Sequence, residues 1–154
     1  MAAPTGGSWR EFPSENWIVL DQAQWTKFLP AGRAEVGKTW EVDHATAAKL
    51  LVYFYPQTEQ TEDNKIAHNR IDSMALRAKV VSANTGIVRI RLDGSLRMKH
   101  TFYPGRDDNN FVDATVIGYV EAEPGKSRIR SFRMVTEKAT YANSGFGVAV
   151  RSVP

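Results

Sequence analysis

From Leu76 to Val150 the apolar residues of this chain recur at every second position, and no other feature constrains its fold as tightly. A side-chain period of two belongs to β-strands with one face buried and the other in water. Leu76, Ala78 and Val80 alternate with Arg77 and Lys79, and Asn84-Thr-Gly86 then supplies hairpin-turn chemistry. The return strand points Val88, Ile90 and Leu92 inward, with Arg89 and Arg91 outward. Past Asp93-Gly94 the same parity runs on through Leu96, Met98, His100 and Phe102, opposite Arg97, Lys99 and Thr101. A three-residue turn, or one long strand bent at Gly94, preserves that facing; a two-residue turn would exchange the faces.

Phe111 to Glu123 places Val112, Ala114, Val116, Gly118, Val120 and Ala122 on one smooth inner face. Pro124-Gly125 reads as the next turn, setting Glu121 across from Arg128 and Val120 across from Ile129. Phe132 and Met134 have the opposite parity to Ile129, which predicts a β-bulge near Arg130-Ser131, facing Gly118. Phe146 to Val150, entered through Asn143-Ser-Gly145, is the last expected strand.

The first half has a different grammar. Residues 1–15 read as a flexible leader, and residues 16–154 as a single domain. Asp21 is placed to cap a short helix over Gln22–Leu29, ended by Pro30, and Asp43 to cap a second. In the second, Ala47, Leu50, Leu51 and Phe54 fall at i, i+3, i+4 and i+7 before Pro56. Gln57 to Asn69 is polar and reads as an exposed connector. Helices followed by hairpins predict an α+β domain: five or six antiparallel strands in a curved sheet or partly open barrel, preceded by one or two short helices.

The net charge of +3 hides a split after Asp72: 10 acids and 7 bases in residues 1–72 give −3, and 7 acids and 13 bases in residues 73–154 give +6. Nine of those 13 bases are Arg, whose planar fork matches carboxylate, sulfate and phosphate. Arg89, Arg91, Arg97 and Lys99 are therefore candidate anion-binding residues, although bases spread evenly along alternating patterns are better explained as solvated outward strand positions. The stacking residues identified on the sheet point inward, which argues against nucleic acid as partner. No run approaches the ~20 apolar residues of a membrane-spanning helix.

The chain has no cysteine, which excludes disulfides, thiolate metal sites and a thiol nucleophile. His100 is the foremost candidate for chemistry, an imidazole at an inward position. With Met98 and Phe102 it outlines a small-ligand site in a sheet concavity. Alternatively, it is a core-edge histidine satisfied by a backbone carbonyl or a tyrosine. A Met-x-His face also suits copper, and convergence of His100 with His44 and His68 would suit copper or zinc. Asp43 could assist His44, and Asn69 or Asp72 could assist His68.

Arg106-Asp-Asp-Asn-Asn110 is rich in oxygen but has the composition of an ordinary turn. Gly32 to Thr39 formally fits a phosphate-binding loop, yet no buried strand precedes it and the strand-like Trp40-Glu-Val42 follows where a helix is required. No nucleophile elbow is present, so no catalytic residue is assigned. The start, Met1-Ala-Ala-Pro-Thr-Gly-Gly-Ser8, holds no signal peptide; a small polar leader without cysteine downstream is what an exported protein retains after its signal is removed.

Gly37-Lys-Thr-Trp-Glu-Val-Asp43, Leu50-Leu-Val-Tyr-Phe-Tyr-Pro56, Leu92-Asp-Gly-Ser-Leu-Arg-Met-Lys-His100 and Asp108-Asn-Asn-Phe-Val112 resemble segments of a family of exported bacterial proteins that has no assigned activity. The resemblance implies an extracytoplasmic location and one compact domain. The leading expectation is thus a periplasmic or secreted domain binding a small ligand or metal. The alternatives are a histidine-based copper or zinc enzyme, and an interaction module offering an Arg-rich sheet face to an acidic partner or polysaccharide.

Overall fold

The computed structural model describes residues 15–57, 69–101 and 110–153. The expected leader, most of the connector after Gln57, His68, Phe102 and most of the Arg106–Asn110 cluster lie outside the described residues.

Asp21 caps α1 (Gln22–Thr26) through a reciprocal capping box with Gln24. The helix is shorter than the sequence predicts, with turns completing the run to Leu29. Thr39–Glu41 forms β1, a strand where a phosphate-binding loop would need a helix. Asp43 caps α2 (His44–Leu51), accepting hydrogen bonds from the Thr46 backbone N–H and hydroxyl, each at 3.0 Å.

Four long strands follow: β2 (Arg70–Asn84), β3 (Ile87–Lys99), β4 (Phe111–Glu123) and β5 (Arg128–Tyr141). The short β6 (Ser144–Gly145) and β7 (Ala149–Arg151) both pair with β5. The seven strands form one open antiparallel sheet in the order β1-β2-β3-β4-β5-β6, with β7 also on β5. The last expected strand is reduced to β7, and the three- and two-residue strands β1 and β6 bring the count to seven.

Thr85 and Gly86 both have positive φ, as a tight two-residue hairpin turn between β2 and β3 requires. β3 continues through Gly94 as one strand. A Cβ at Gly94 would stand 2.8 Å from the Ala75 carbonyl oxygen, and one at Gly118 would stand 2.7 Å from that of Arg133. Both glycines admit the backbone of the neighbouring strand too closely for any side chain.

The β4–β5 register differs from the expected one. Pro124–Lys126 forms a 3₁₀ turn closed by Ser127 at positive φ, so that Glu121 opposes Ser131 and Val120 opposes Phe132. The parity change at Arg130 is present as a register shift, but it faces Glu121 and Ala122 instead of Gly118. A second shift leaves Glu137 extra opposite Thr115 and Val116.

Inner-face residues of all four long strands are buried with Phe28, Val42, Ala47, Leu50, Leu51, Phe54 and Tyr55 in one core. Trp25, Phe28 and Phe132 meet with ring centroids 5.4–5.8 Å apart, docking the α1 region on β5. Each such fully buried apolar side chain stabilises the fold by roughly 1.5–3 kcal/mol relative to exposure.

Candidate functional site

Two polar regions flank the sheet. On the inner face, at one end of the core, Met98 and His100 are completely buried. The His100 Nδ1 lies 2.6 Å from Asn69 Oδ1, and the Asn69 side-chain amide donates to the Val52 carbonyl at 3.0 Å. That donation turns the Asn69 oxygen toward the imidazole, so Nδ1 carries the proton and donates it. The Tyr55 ring lies over the imidazole with centroids 4.5 Å apart and planes tilted by 32°. Tyr141 meets it edge-on at 5.5 Å and donates its hydroxyl to the His100 carbonyl at 3.0 Å. The cluster thereby ties β3, β5, the residue preceding β2 and the chain following α2 at a single point.

The imidazole thus has the ring and backbone contacts of a structural core-edge histidine, with an asparagine added. His44 is exposed in the first turn of α2. Among the described residues no group of three His, Asp or Glu is placed to hold a metal ion.

The outer face carries the bases. Arg89 meets Glu121 at 2.7 Å, Arg91 meets Asp93 at 2.8 Å, and Arg97 meets Asp113 at 2.7 Å while lying 4.4 Å above the Phe111 ring. Lys99 is likewise partnered. The Arg89 hydrogen bond holds the Glu121 carboxyl below the ordinary carboxylate range, and the Asp93 hydrogen bond raises the Arg91 guanidinium further. The four bases singled out from sequence are therefore engaged with other groups on the surface.

A second set crosses the sheet and shares only Arg91 with the first. Lys79 on β2, Arg91 on β3, Tyr119 on β4, Arg133 on β5 and Arg151 on β7 oppose one another in an unbroken row across five strands. Directly opposed residues share a face of the sheet. Lys79, Arg133 and Arg151 form no ion pair among the described residues, and the row itself contains no acid. Tyr119 is 42% exposed and Val135, in the next row, 44% exposed. Tyr119 supplies an outward aromatic ring that the sequence reading missed.

Opposed like charges destabilise a strand pair, and Arg133 directly opposite Arg151 is such a pair. Local rules broken without structural return are characteristic of binding sites. Two rows along β4 from Ile117 toward Asp113, the second bulge borders a shallow hollow of about 350 Å3, lined by Asp113, Ala114, Thr115, Lys138 and Thr140.

The signal for the row was present in the outward parity of Lys79, Arg91, Tyr119 and Arg133. Aligning them needs four strand registers, and the β4–β5 register depends on the Ser127 turn. Compared with protein-family models, curated proteins and solved structures, the chain matches none.

Proposed function

We propose that the protein is an extracytoplasmic, non-catalytic binding domain whose outer sheet face holds an anionic partner. The observation that carries this reading is the acid-free row Lys79–Arg91–Tyr119–Arg133–Arg151. Guanidinium groups bind carboxylate and sulfate through paired, charge-assisted hydrogen bonds, and those of Arg133 and Arg151 are not committed to a carboxylate of the described chain. A small-ligand or metal site at Met98 and His100 has less support, because both side chains lie fully inside the core. The extracytoplasmic setting rests on the absence of cysteine and on the family resemblance.

The test is retention on a sulfated matrix as salt is raised. Arg133→Ala/Arg151→Ala should elute at much lower salt than the parent. Arg89→Ala/Arg97→Ala removes the same charge from ion-paired positions and should elute close to it. Equal shifts for the two double variants, or no retention of the parent at low salt, overturn the proposal.

A further inference from the structure

The shape of the charged row defines its partner more narrowly. Along the strands, the row is bordered on one side by Arg89 and Glu121 and on the other by Glu41, Arg77 and Asp93. An anionic surface wide enough to cover several rows would press against Glu41, Asp93 and Glu121. A narrow anionic chain laid across the strands would meet Lys79, Arg133 and Arg151, which form no ion pair among the described residues, and Arg91, which Asp93 already holds. A second copy of this face is unsuited as partner, since it would bring its own cations.

Spacing separates the remaining chains. Neighbouring cations on adjacent strands stand ~4.8 Å apart at the backbone, whereas same-face side chains of an extended acidic peptide recur every ~6.7 Å. A uronate chain carries one carboxylate on each pyranose ring, so every sugar brings both an anion for the cations and a C–H face for Tyr119. Tyr119 sits at the middle of the row, with two cations on each side of it in register. Ile117 and Val135 extend its apolar surface into the adjacent row. A single exposed ring between cations suits the C–H face of one sugar; a nucleic-acid strand, with a base on every unit, calls for several stacking rings.

We infer that the row Lys79–Arg91–Tyr119–Arg133–Arg151 binds a linear acidic polysaccharide of the polyuronate class, lying across the strands with one sugar ring on Tyr119. This inference rests on the reading of the outer face as an anion-binding surface.

Calorimetric titration of the protein with oligogalacturonates of increasing length tests it, with poly-glutamate, single-stranded oligonucleotide, anionic vesicles and methyl-esterified oligogalacturonate as comparisons. Affinity should climb until the oligomer spans the row, then level off, and esterification should abolish binding. Tyr119→Ala should weaken the oligogalacturonate about ten-fold, as loss of one stacking aromatic does, while Tyr119→Phe binds like the parent. Elution of Tyr119→Ala from the sulfated matrix should stay near that of the parent. Poly-glutamate, oligonucleotide or vesicles binding as tightly as the uronate, or an indifferent Tyr119→Ala, overturns the polysaccharide assignment and leaves the anion-binding face standing. Failure of every polyanion overturns both.

Discussion

The His100 cluster and the Lys79–Arg151 row lie on opposite faces of the same strands and follow opposite rules. Inside, a polar ring is surrounded: Asn69 accepts its hydrogen bond, Tyr55 covers it, and Tyr141 meets its edge and holds its backbone. Outside, Arg133 and Arg151 are set against each other without an intervening acid. A buried polar group must be hydrogen-bonded or the fold loses stability, so satisfied polarity in a core is the ordinary condition. Opposed surface cations carry a cost, and neither Arg133 nor Arg151 forms an ion pair among the described residues. The difference teaches that the polar residue most conspicuous in this sequence is enclosed by the fold, and that the proposed site is marked by cations that form no ion pair among the described residues.

The largest effect that could break this division is expected at His100. His100→Ala removes a fully buried ring together with its bond to Asn69, which should cost about 3 kcal/mol. For a domain of this size that is a fall in Tm of roughly 10 °C. Retention of the folded variant on the sulfated matrix should match the parent. A variant of parental Tm with lost retention would reverse the assignment of the two faces.

Gly118 joins the two regions, since it lies on the inner face beside outward Tyr119. Its replacement by Ala drives a Cβ against the Arg133 carbonyl, which forces β4 and β5 apart at the row itself. Overpacking of this kind costs about 2 kcal/mol, and retention should fall along with Tm. An unchanged Tm would show that the close approach of the strands is not required. Arg151→Ser, by contrast, relieves the opposition with Arg133 and should hold stability within about 0.5 kcal/mol of the parent while lowering retention. A marked drop in its Tm would mean that the outer pair is structural after all.

Much of this architecture is legible in the sequence, because its signals are local. The period of two located the four long strands, Asn84-Thr-Gly86 marked the hairpin, and Asp21 and Asp43 marked both helix starts. The inward facing of Met98 and His100 followed from the same parity. The partners of His100 did not, since Asn69 and Tyr141 come from 31 and 41 residues away. The β4–β5 register escaped because Ser127 takes a positive φ where no glycine announces it. That one turn moves every outward residue of β5, and so hid the alignment of Tyr119 with Arg133. Pairing of Arg89, Arg91 and Arg97 with carboxylates was equally non-local in part, for Glu121 and Asp113 lie on the next strand.

The smallest effect concerns acid, and it separates the faces by their carboxylates. Hydrogen bonds from the Thr46 backbone and hydroxyl hold the Asp43 carboxyl below its ordinary range, as those from Arg89 and Lys126 do for Glu121 and Glu123. A carboxyl depressed in the folded state contributes stability at pH above its unfolded value, and this is lost as pH falls through the folded one. Stability should therefore be level near neutrality and decline below the usual carboxylate range. Asp43→Asn keeps a competent cap for α2, so its Tm should match the parent at neutral pH and its acid decline should be shallower, by the share that the Asp43 carboxyl contributes. Glu121→Gln should flatten the decline in the same way, but it also releases Arg89 and should strengthen retention on the sulfated matrix. Thermal melts between neutral pH and the carboxylate range, run beside the matrix assay, check both. If Asp43→Asn also strengthened retention, α2 and the outer face would be coupled and the two regions would no longer be independent.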